Sequence, residues 1–354
     1  MKKWHLLLSV ALALTGLLAV TVAEAAGDAP VRQRTGKTKK KTKPAAKAPQ
    51  PQAEQAQRQL PLPSQTIIGA RPPMDTESFI SRPGDYNFVI QHQGRTRTYR
   101  LHVPLGYASS EPVPLLVALQ GGRMDQLSND GFHGLVHESD RHGFAVVFPD
   151  AWRAPGRDTA AWNAGNCCGD ARDQKVDDVS FIDKVVHNVF RQVSVARWRI
   201  YAAGMSDGGM MAYRLACERP NMFKAVASVG GTDNTAVCTP DRSVSVLHIH
   251  ARNDARVPFA TTSDAVEHGF TSAAATTAKW AQLDGCIATP RNTLTKAGAT
   301  CDAYTYCRSQ AEVRLCATET GGHSWPGAQG RRGEDQPSQA IAATKAIWTF
   351  FNAH

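Results

Sequence analysis

Short, uninterrupted apolar runs recur in the central part of the chain, and stretches with apolar residues at helical spacing lie between them. The runs cover 115–119, 144–148, 198–203, 225–229 and 244–249. Runs of this length are typical of strands buried on both faces of a parallel sheet. The helical stretches cover 179–193, 208–217 and 272–283. This alternation predicts an α/β fold with a mostly parallel central sheet and helices on both of its faces.

The flanks of this region also carry readable patterns. Residues 86–91 and 96–103 alternate between polar and apolar positions, which predicts the two strands of a hairpin. Apolar residues near the other end predict a helix over 335–353 that closes the fold.

The first 25 residues have the pattern of a secretory signal peptide. Lys2 and Lys3 precede an apolar run over 6–22, and Ala23-Glu24-Ala25 offers a small-x-small cleavage site. A membrane anchor is the alternative, but the run is short for a span and ends in a cleavage site. We therefore expect an exported protein, periplasmic or extracellular, with no stable membrane insertion after signal removal.

The positive charge of the chain is concentrated in a tail. Of the net +9, residues 1–25 carry +1 and residues 26–66, with nine Lys and Arg against two acids, carry +7. The globular remainder, 67–354, is left with +1, so its charge gives no reason to expect a nucleic-acid partner. The tail is rich in Lys, Ala, Pro and Gln without aromatic residues, which predicts disorder. A solvated spacer is the favoured role, with a cationic tether to the acidic cell envelope as the alternative.

All eight cysteines follow residue 160. Export favours disulfides over zinc, and the sequence contains no C-x-x-C spacing. We expect at least one bridge among the four cysteines that cluster between 286 and 316, with Cys286–Cys307 as the first choice. Neighbouring cysteines rarely bond each other, so Cys167 and Cys168 are each expected to have a distant partner.

The sharpest motif is Gly204-Met205-Ser206-Asp207-Gly208, which matches the nucleophile elbow G-x-S-x-G. A predicted strand precedes it and a helical pattern follows it, which is the context that the elbow requires. Ser206 is therefore the candidate nucleophile, since a Ser hydroxyl in this setting is activated by a His base.

In this fold the acid and then the base follow the nucleophile along the chain. His323 is the candidate base, because the other late histidine, His354, is the terminal residue. Asp254, in the loop after the run 244–249, is the candidate acid; Asp264 is the alternative, and Asp233 is disfavoured. His248 and His250 share one strand face, and packing is favoured over metal binding for them.

An oxyanion hole needs two backbone N–H donors. One is expected from Asp207, directly after the nucleophile, and the other from Gly122 in the loop after the run 115–119. A simple tight turn is the alternative interpretation of the Gly121-Gly122 pair.

Several motifs resemble the polyhydroxybutyrate depolymerase/feruloyl esterase family of secreted α/β-hydrolases. They lie at 162–169 (Trp-Asn-x-Gly-x-Cys-Cys-Gly), 176–182, 204–218 and 322–327 (Gly-His-Ser-Trp-Pro-Gly). The resemblance implies the α/β-hydrolase fold and the triad Ser206, Asp254 and His323. It also implies cleavage of esters of hydroxyalkanoate polymers, of hydroxycinnamates on polysaccharide, or of acetylated xylan.

The chain departs from this family at two places. Gln120 stands where the family usually has His, and Ala251 stands where it usually has Gly. Gln120, Trp162 and Trp325 are the candidate substrate-binding residues, with packing of the His323 loop as the alternative for Trp325. Asp177-Asp178 is expected to cap the helix that follows.

These observations together predict a secreted serine carboxylic-ester hydrolase that works through an acyl-enzyme. Its expected partner is a small or oligomeric ester, and the chemistry needs neither a cofactor nor a metal. A non-catalytic envelope-binding protein and a serine peptidase are the alternative functions.

Overall fold

A computed structural model describes residues 78–122, 134–263, 269–330 and 335–354. The predicted signal peptide and tail lie outside the described residues, as does Asp264. The strands are β1 (Gly84–His92), β2 (Arg95–Val103), β3 (Val113–Leu119), β4 (Ala145–Pro149), β5 (Trp152–Arg153), β6 (Ala160–Ala161), β7 (Val195–Met205), β8 (Ala225–Val229), β9 (Ser245–Ala251), β10 (Arg291–Lys296), β11 (Ala299–Tyr304) and β12 (Val313–Thr318). The α-helices are α1 (Leu135–His142), α2 (Gly169–Asp173), α3 (Asp178–Gln192), α4 (Asp207–Glu218), α5 (Ala273–Leu283) and α6 (Ala343–Asn352).

Ten strands form one sheet in the order β1-β2-β4-β3-β7-β8-β9-β12-β11-β10. From β4 to β12 the neighbours are parallel. Antiparallel pairs lie at both edges, where β1 and β2 join β4 on one side and β11 and β10 join β12 on the other. The strands β5 and β6 pair separately. The predicted hairpin and mostly parallel sheet are therefore confirmed.

The apolar runs of the central strands feed cores on both faces of the sheet. In β3, Leu115, Val117 and Leu119 belong to one cluster with side chains of α3, α4 and α5. The alternate residues Leu116 and Ala118 belong to a second cluster with side chains of α1 and α6. Since successive strand side chains point to opposite faces, a strand covered on both sides leaves no side chain facing solvent.

Side-chain caps explain where two helices begin. The carboxylate of Asp177 accepts a hydrogen bond from the Ser180 N–H at 3.0 Å and caps α3. Ser272 caps α5 in the same way, with its hydroxyl accepting from Ala275 at 3.1 Å. Asp178 has a different role: it is fully buried and forms an ion pair of 2.8 Å with Arg97 of β2.

The C-terminal helix is shorter than expected, because α6 begins at Ala343 rather than at residue 335. Pro337 disfavours helical backbone in the residue before it. The segment 335–342 instead bonds to the loop that carries His323: the Gly327 N–H donates to the Ser338 carbonyl at 2.8 Å. In the segment 335–342, hydrogen bonds to the His323 loop thus take the place of the hydrogen bonds of a helix.

The eight cysteines form four disulfides, which are Cys167–Cys168, Cys217–Cys238, Cys286–Cys307 and Cys301–Cys316. The predicted Cys286–Cys307 bridge is confirmed. The expectation of distant partners for Cys167 and Cys168 is wrong, because the other six cysteines pair among themselves and leave these neighbours to each other.

Among the described residues, no helix combines the length and apolar character that a bilayer span requires.

Asp284, at the end of α5, is a fully buried carboxyl group that accepts a hydrogen bond from the Val244 N–H at 3.2 Å. Burial penalises its charged form and raises its pKa from 3.8 to about 7. Between these two pKa values only the unfolded chain ionises, so this group lowers stability as pH rises from about 4 to about 7.

We expect Asp284→Asn, which cannot ionise, to raise the melting temperature at pH 8 more than at pH 4. Thermal unfolding followed by circular dichroism across this range measures the difference. Asp241→Asn, at an exposed position, is the control and should leave the pH dependence unchanged. An equal shift of the Asp284→Asn variant at both pH values would contradict the assignment.

Candidate active site

Ser206 occupies the tight turn between β7 and α4, with φ 56° and ψ −126°. A positive φ is rare for a residue with a side chain and is maintained here by close packing around the turn. A Cβ on Gly208 would lie 2.2 Å from the Leu119 carbonyl oxygen, and one on Gly204 would lie 2.3 Å from Gly208. The two glycines of the motif are therefore required by the approach of backbone to backbone.

Asp254 and His323 form a hydrogen-bonded pair. The distance from His323 Nδ1 to Asp254 Oδ2 is 2.8 Å, and the Asp254 side chain is 1% exposed. The other carboxylate oxygen accepts from the N–H groups of Arg256 and Val257 at 2.9 and 3.0 Å. Burial would raise the pKa of Asp254, but hydrogen bonds from His250 and His323 outweigh it and lower the pKa below its ordinary value. The acid is held ionised opposite the imidazole.

The turn after β8, formed by Gly230 and Gly231, lies between the Asp254–His323 pair and Ser206. A Cβ on Gly230 would lie 3.4 Å from Asp254 Oδ2 and 3.5 Å from the His323 ring. A Cβ on the next residue, Gly231, would lie 2.2 Å from the Ser206 carbonyl oxygen. The three predicted residues therefore meet around residues 230–231, at the carboxyl ends of β7, β8, β9 and β12, where open α/β sheets bind ligands.

The loop that carries the imidazole is fixed from two sides. The His323 N–H donates to Asp335 Oδ2 at 2.7 Å, and the Gly322 N–H donates to Asn253 Oδ1 at 3.0 Å. A Cβ on Gly322, where φ is +56°, would lie 2.4 Å from the Asp335 carboxyl carbon. Asp335 and Asn253 were missed in the sequence, because neither belongs to a motif that marks a loop anchor.

The predicted donor at Gly122 does not fit the structure. Its N–H donates to Asp207 Oδ1 at 2.5 Å, so it is already bonded to a carboxylate. The preceding Gly121 lies close to Ser206, since a Cβ there would be 3.3 Å from Ser206 Cβ.

The Asp207 side chain has a role that the motif did not reveal. Besides Gly122, its carboxylate accepts from the Trp162 N–H at 3.3 Å, and so links the elbow to two other loops. Burial raises its pKa to about 6, against the lowering effect of the surrounding backbone N–H groups. These contacts span 85 and 45 residues of sequence, which no local pattern encodes.

The three residues expected to bind substrate are buried. Trp162 is 0% exposed, Trp325 is 1% and Gln120 is 3%. The Trp162 indole donates to the Gln120 carbonyl at 2.9 Å, and the Trp325 indole donates to the Thr344 hydroxyl at 3.0 Å. The three side chains are packed inside the protein, so the prediction that they contact substrate does not fit this structure.

The remaining candidates have other partners. Asp233 forms an ion pair with Lys279 at 2.7 Å and accepts from the Trp280 indole at 3.0 Å. His248 and His250 are fully buried on β9, and the distance from His248 Nε2 to His250 Nδ1 is 2.9 Å. Packing and mutual hydrogen bonding thus account for the two histidines.

Several known proteins similar to this chain are described as esterases. Feruloyl esterase B of Piromyces equi is 29% identical over 62% of this chain and 41% of its own length. The putative esterase NocK of Nocardia uniformis is 33% identical over 47% of each chain. Probable feruloyl esterase C of Aspergillus niger is 33% identical over 48% of this chain and 58% of its own. The chain therefore spans about half the length of these curated relatives.

Among solved structures, an acetyl xylan esterase from Aspergillus awamori aligns with a TM-score of 0.49 and 12% identity, over 73% of this chain and 94% of its own. A ferulic acid esterase from Anaeromyces mucronatus, solved with ferulic acid, aligns with a TM-score of 0.41 and 14% identity, over 51% and 76%.

The family assignment rests on a longer match. Residues 97–297, more than half of the chain, match the family described as esterase PHB depolymerase. The matched region includes β7, the elbow, α4 and β9, and the mostly parallel sheet has the expected α/β-hydrolase architecture. By this match, the chain belongs to the esterase PHB depolymerase family.

Proposed function

We propose that this protein is a serine carboxylic-ester hydrolase in which Ser206 is the nucleophile, His323 the general base and Asp254 the acid that orients the base. The observation that carries the proposal is the buried Asp254–His323 pair, with its bond of 2.8 Å, beside a serine on a strained elbow. The Oγ of Ser206 attacks the ester carbonyl carbon while His323 takes the serine proton. The imidazolium then protonates the leaving alcohol. In the second half of the reaction His323 deprotonates a water that attacks the acyl carbon, and the imidazolium returns a proton to Ser206 Oγ as the bond to the acyl group breaks and the carboxylic acid leaves.

The imidazole is held in the tautomer that this role requires. Asp254 accepts a hydrogen bond from Nδ1–H, so Nε2 is unprotonated and able to accept from the Ser206 hydroxyl. The ionised carboxylate also stabilises the imidazolium that forms during attack. Its low pKa keeps it charged throughout the neutral range.

The oxyanion is proposed to be bound by the backbone N–H groups of Asp207 and Gly121. The first lies at the N-terminus of α4, where the helix dipole favours negative charge. Gly121 is proposed in place of Gly122, because the Gly122 N–H already donates to the Asp207 carboxylate. The Asp207 carboxylate is a positioning group here, because it fixes the loop that follows β3.

For the substrate we propose feruloyl or acetyl esters of polysaccharide or hydroxybutyrate-type oligoesters. The relatives include proteins described as feruloyl esterases and as an acetylxylan esterase/xylanase, and the family is described by polyhydroxybutyrate depolymerase. The four disulfides support an oxidising compartment, in line with export to the periplasm or the medium.

A substrate panel and a serine-directed label test the proposal together. The protein should hydrolyse short p-nitrophenyl acyl esters, and at least one of methyl ferulate, acetylated xylan and hydroxybutyrate oligomers. A fluorophosphonate should attach once per chain, at Ser206, by peptide mass mapping. Cleavage of a peptide without any ester would favour the peptidase alternative. Neither turnover nor label would favour the non-catalytic binding protein.

A further inference from the structure

A row of buried polar side chains continues from the acid into the core. The Tyr213 hydroxyl lies 2.7 Å from His248 Nδ1, and His248 Nε2 lies 2.9 Å from His250 Nδ1. His250 Nε2 lies 2.8 Å from the Val257 carbonyl oxygen and 3.2 Å from Asp254 Oδ2. The row joins α4, which follows the nucleophile, to the loop that carries the acid.

Because this row is buried, each of its nitrogen and oxygen atoms needs a hydrogen-bond partner. Tyr213 and His248 are 0% exposed and His250 is 1% exposed. Burial lowers the pKa of His248 and raises that of Tyr213, so the imidazole is neutral and the phenol keeps its proton. A neutral imidazole has one donor and one acceptor nitrogen. With both imidazoles neutral, the hydrogen bonds therefore all run in one direction.

The acid end decides which direction that is. His250 Nε2 faces two groups that only accept, the Val257 carbonyl and the Asp254 carboxylate, so this nitrogen must carry the proton. His250 Nδ1 then accepts from His248 Nε2, and His248 Nδ1 accepts from the Tyr213 hydroxyl. The reverse direction would place an unprotonated nitrogen against a buried carboxylate, which is costly in a low-dielectric interior.

We propose that Tyr213, His248 and His250 form a directed hydrogen-bond chain that positions the Asp254 carboxylate for its bond to His323. This inference rests on the proposed function. Asp254 Oδ2 accepts from His323 on the substrate side, and on the core side it lies 3.2 Å from His250 Nε2, whose N–H is shared with the Val257 carbonyl. The core-side bond fixes the carboxylate against rotation about its side-chain torsions. The three residues are positioning residues, since none of them contacts the nucleophile.

His250→Leu tests the contact with the acid. It removes the donor to Asp254, and the loss of one hydrogen bond to a charged group is expected to lower kcat by about 10- to 100-fold. KM for a p-nitrophenyl ester should not change, because the substrate does not touch this side chain. His250→Gln, which keeps an N–H near the position of Nε2, should recover most of the lost turnover.

The rates are divided by the number of active sites, counted as fluorophosphonate-reactive serine. A purely structural effect would lower the count of active sites and leave kcat per site unchanged. His102→Gln is the matched control, because His102 is another buried strand histidine between two carboxylates, Asp85 and Asp140. It should leave kcat per site unchanged.

The direction of the chain is measured without turnover. In the full-length protein labelled with ¹⁵N-histidine, the imidazole shifts should place the proton on Nε2 in both His248 and His250. Tyr213→Phe should alter the His248 shifts and lower kcat less than His250→Leu, because the direct contact with Asp254 remains.

The outcomes separate this inference from the proposed function. A proton on Nδ1 of His250, or an unchanged kcat per site in His250→Leu, would overturn the directed chain while leaving the esterase intact. Absence of ester turnover and of serine labelling in the unaltered protein would instead overturn the proposed function.

Discussion

Replacing Ser206 by alanine is expected to lower kcat for an activated ester by on the order of 10⁶-fold. The substitution removes the only atom that forms the covalent bond to the acyl group in the proposed mechanism. Residual turnover would reflect binding and oxyanion stabilisation alone. The measurement is the steady-state hydrolysis of a p-nitrophenyl ester, with melting temperature recorded on the same samples.

Ser110→Ala, at an exposed serine between β2 and β3, is the matched control and should keep full activity. The double variant Ser206→Ala/His323→Ala should be no less active than Ser206→Ala, because the two residues act as one unit. Undiminished hydrolysis by Ser206→Ala across the ester panel would remove the basis for the whole assignment.

Replacing Asp254 by asparagine is expected to lower kcat by on the order of 10⁴-fold, less than loss of the nucleophile. Oδ1 of the acid accepts from the N–H groups of Arg256 and Val257, so the amide oxygen of the new side chain must take that position. Its NH₂ group then faces His323, where the carboxylate had accepted. His323 must respond by placing its proton on Nε2, which is the tautomer that cannot deprotonate the serine.

Kinetics of Asp254→Asn at pH 7 and 9, with Asp241→Asn as an exposed control, measure this effect. The folded protein should persist, since the substitution preserves the volume of the buried side chain. Full activity of Asp254→Asn would show that another carboxyl group serves His323, and Asp264→Asn would then be the next variant to assay.

The elements around Ser206 were predictable because their determinants are local. The apolar run before Ser206 and the helical spacing after it correspond to β7 and α4, and the elbow between them needs its two glycines for steric reasons visible in the motif. Ser272, at the start of the helical spacing over 272–283, caps α5 as a serine before a helix commonly does.

The misplaced residues depend on contacts between distant segments. The burial of Trp162 and Trp325 follows from how the loops pack over the sheet. A sequence motif does not show whether its aromatic side chain points into the core or toward the substrate. The N–H of Gly122 is occupied by a carboxylate 85 residues later. The later start of α6 depends on bonds between 335–342 and the loop of His323.

These last bonds make the order of synthesis important. His323 is held through its N–H by Asp335, Gly327 bonds to the carbonyl of Ser338, and the Ala343 N–H donates to the Pro326 carbonyl at 2.8 Å. A chain made from its N-terminus completes the elbow more than a hundred residues before these contacts can form. A nascent chain that lacks residues 335–343 therefore has Ser206 but not the hydrogen bonds that hold the His323 loop. In the proposed mechanism, ester cleavage therefore requires that residues 335–343 have been synthesised and have bound the His323 loop.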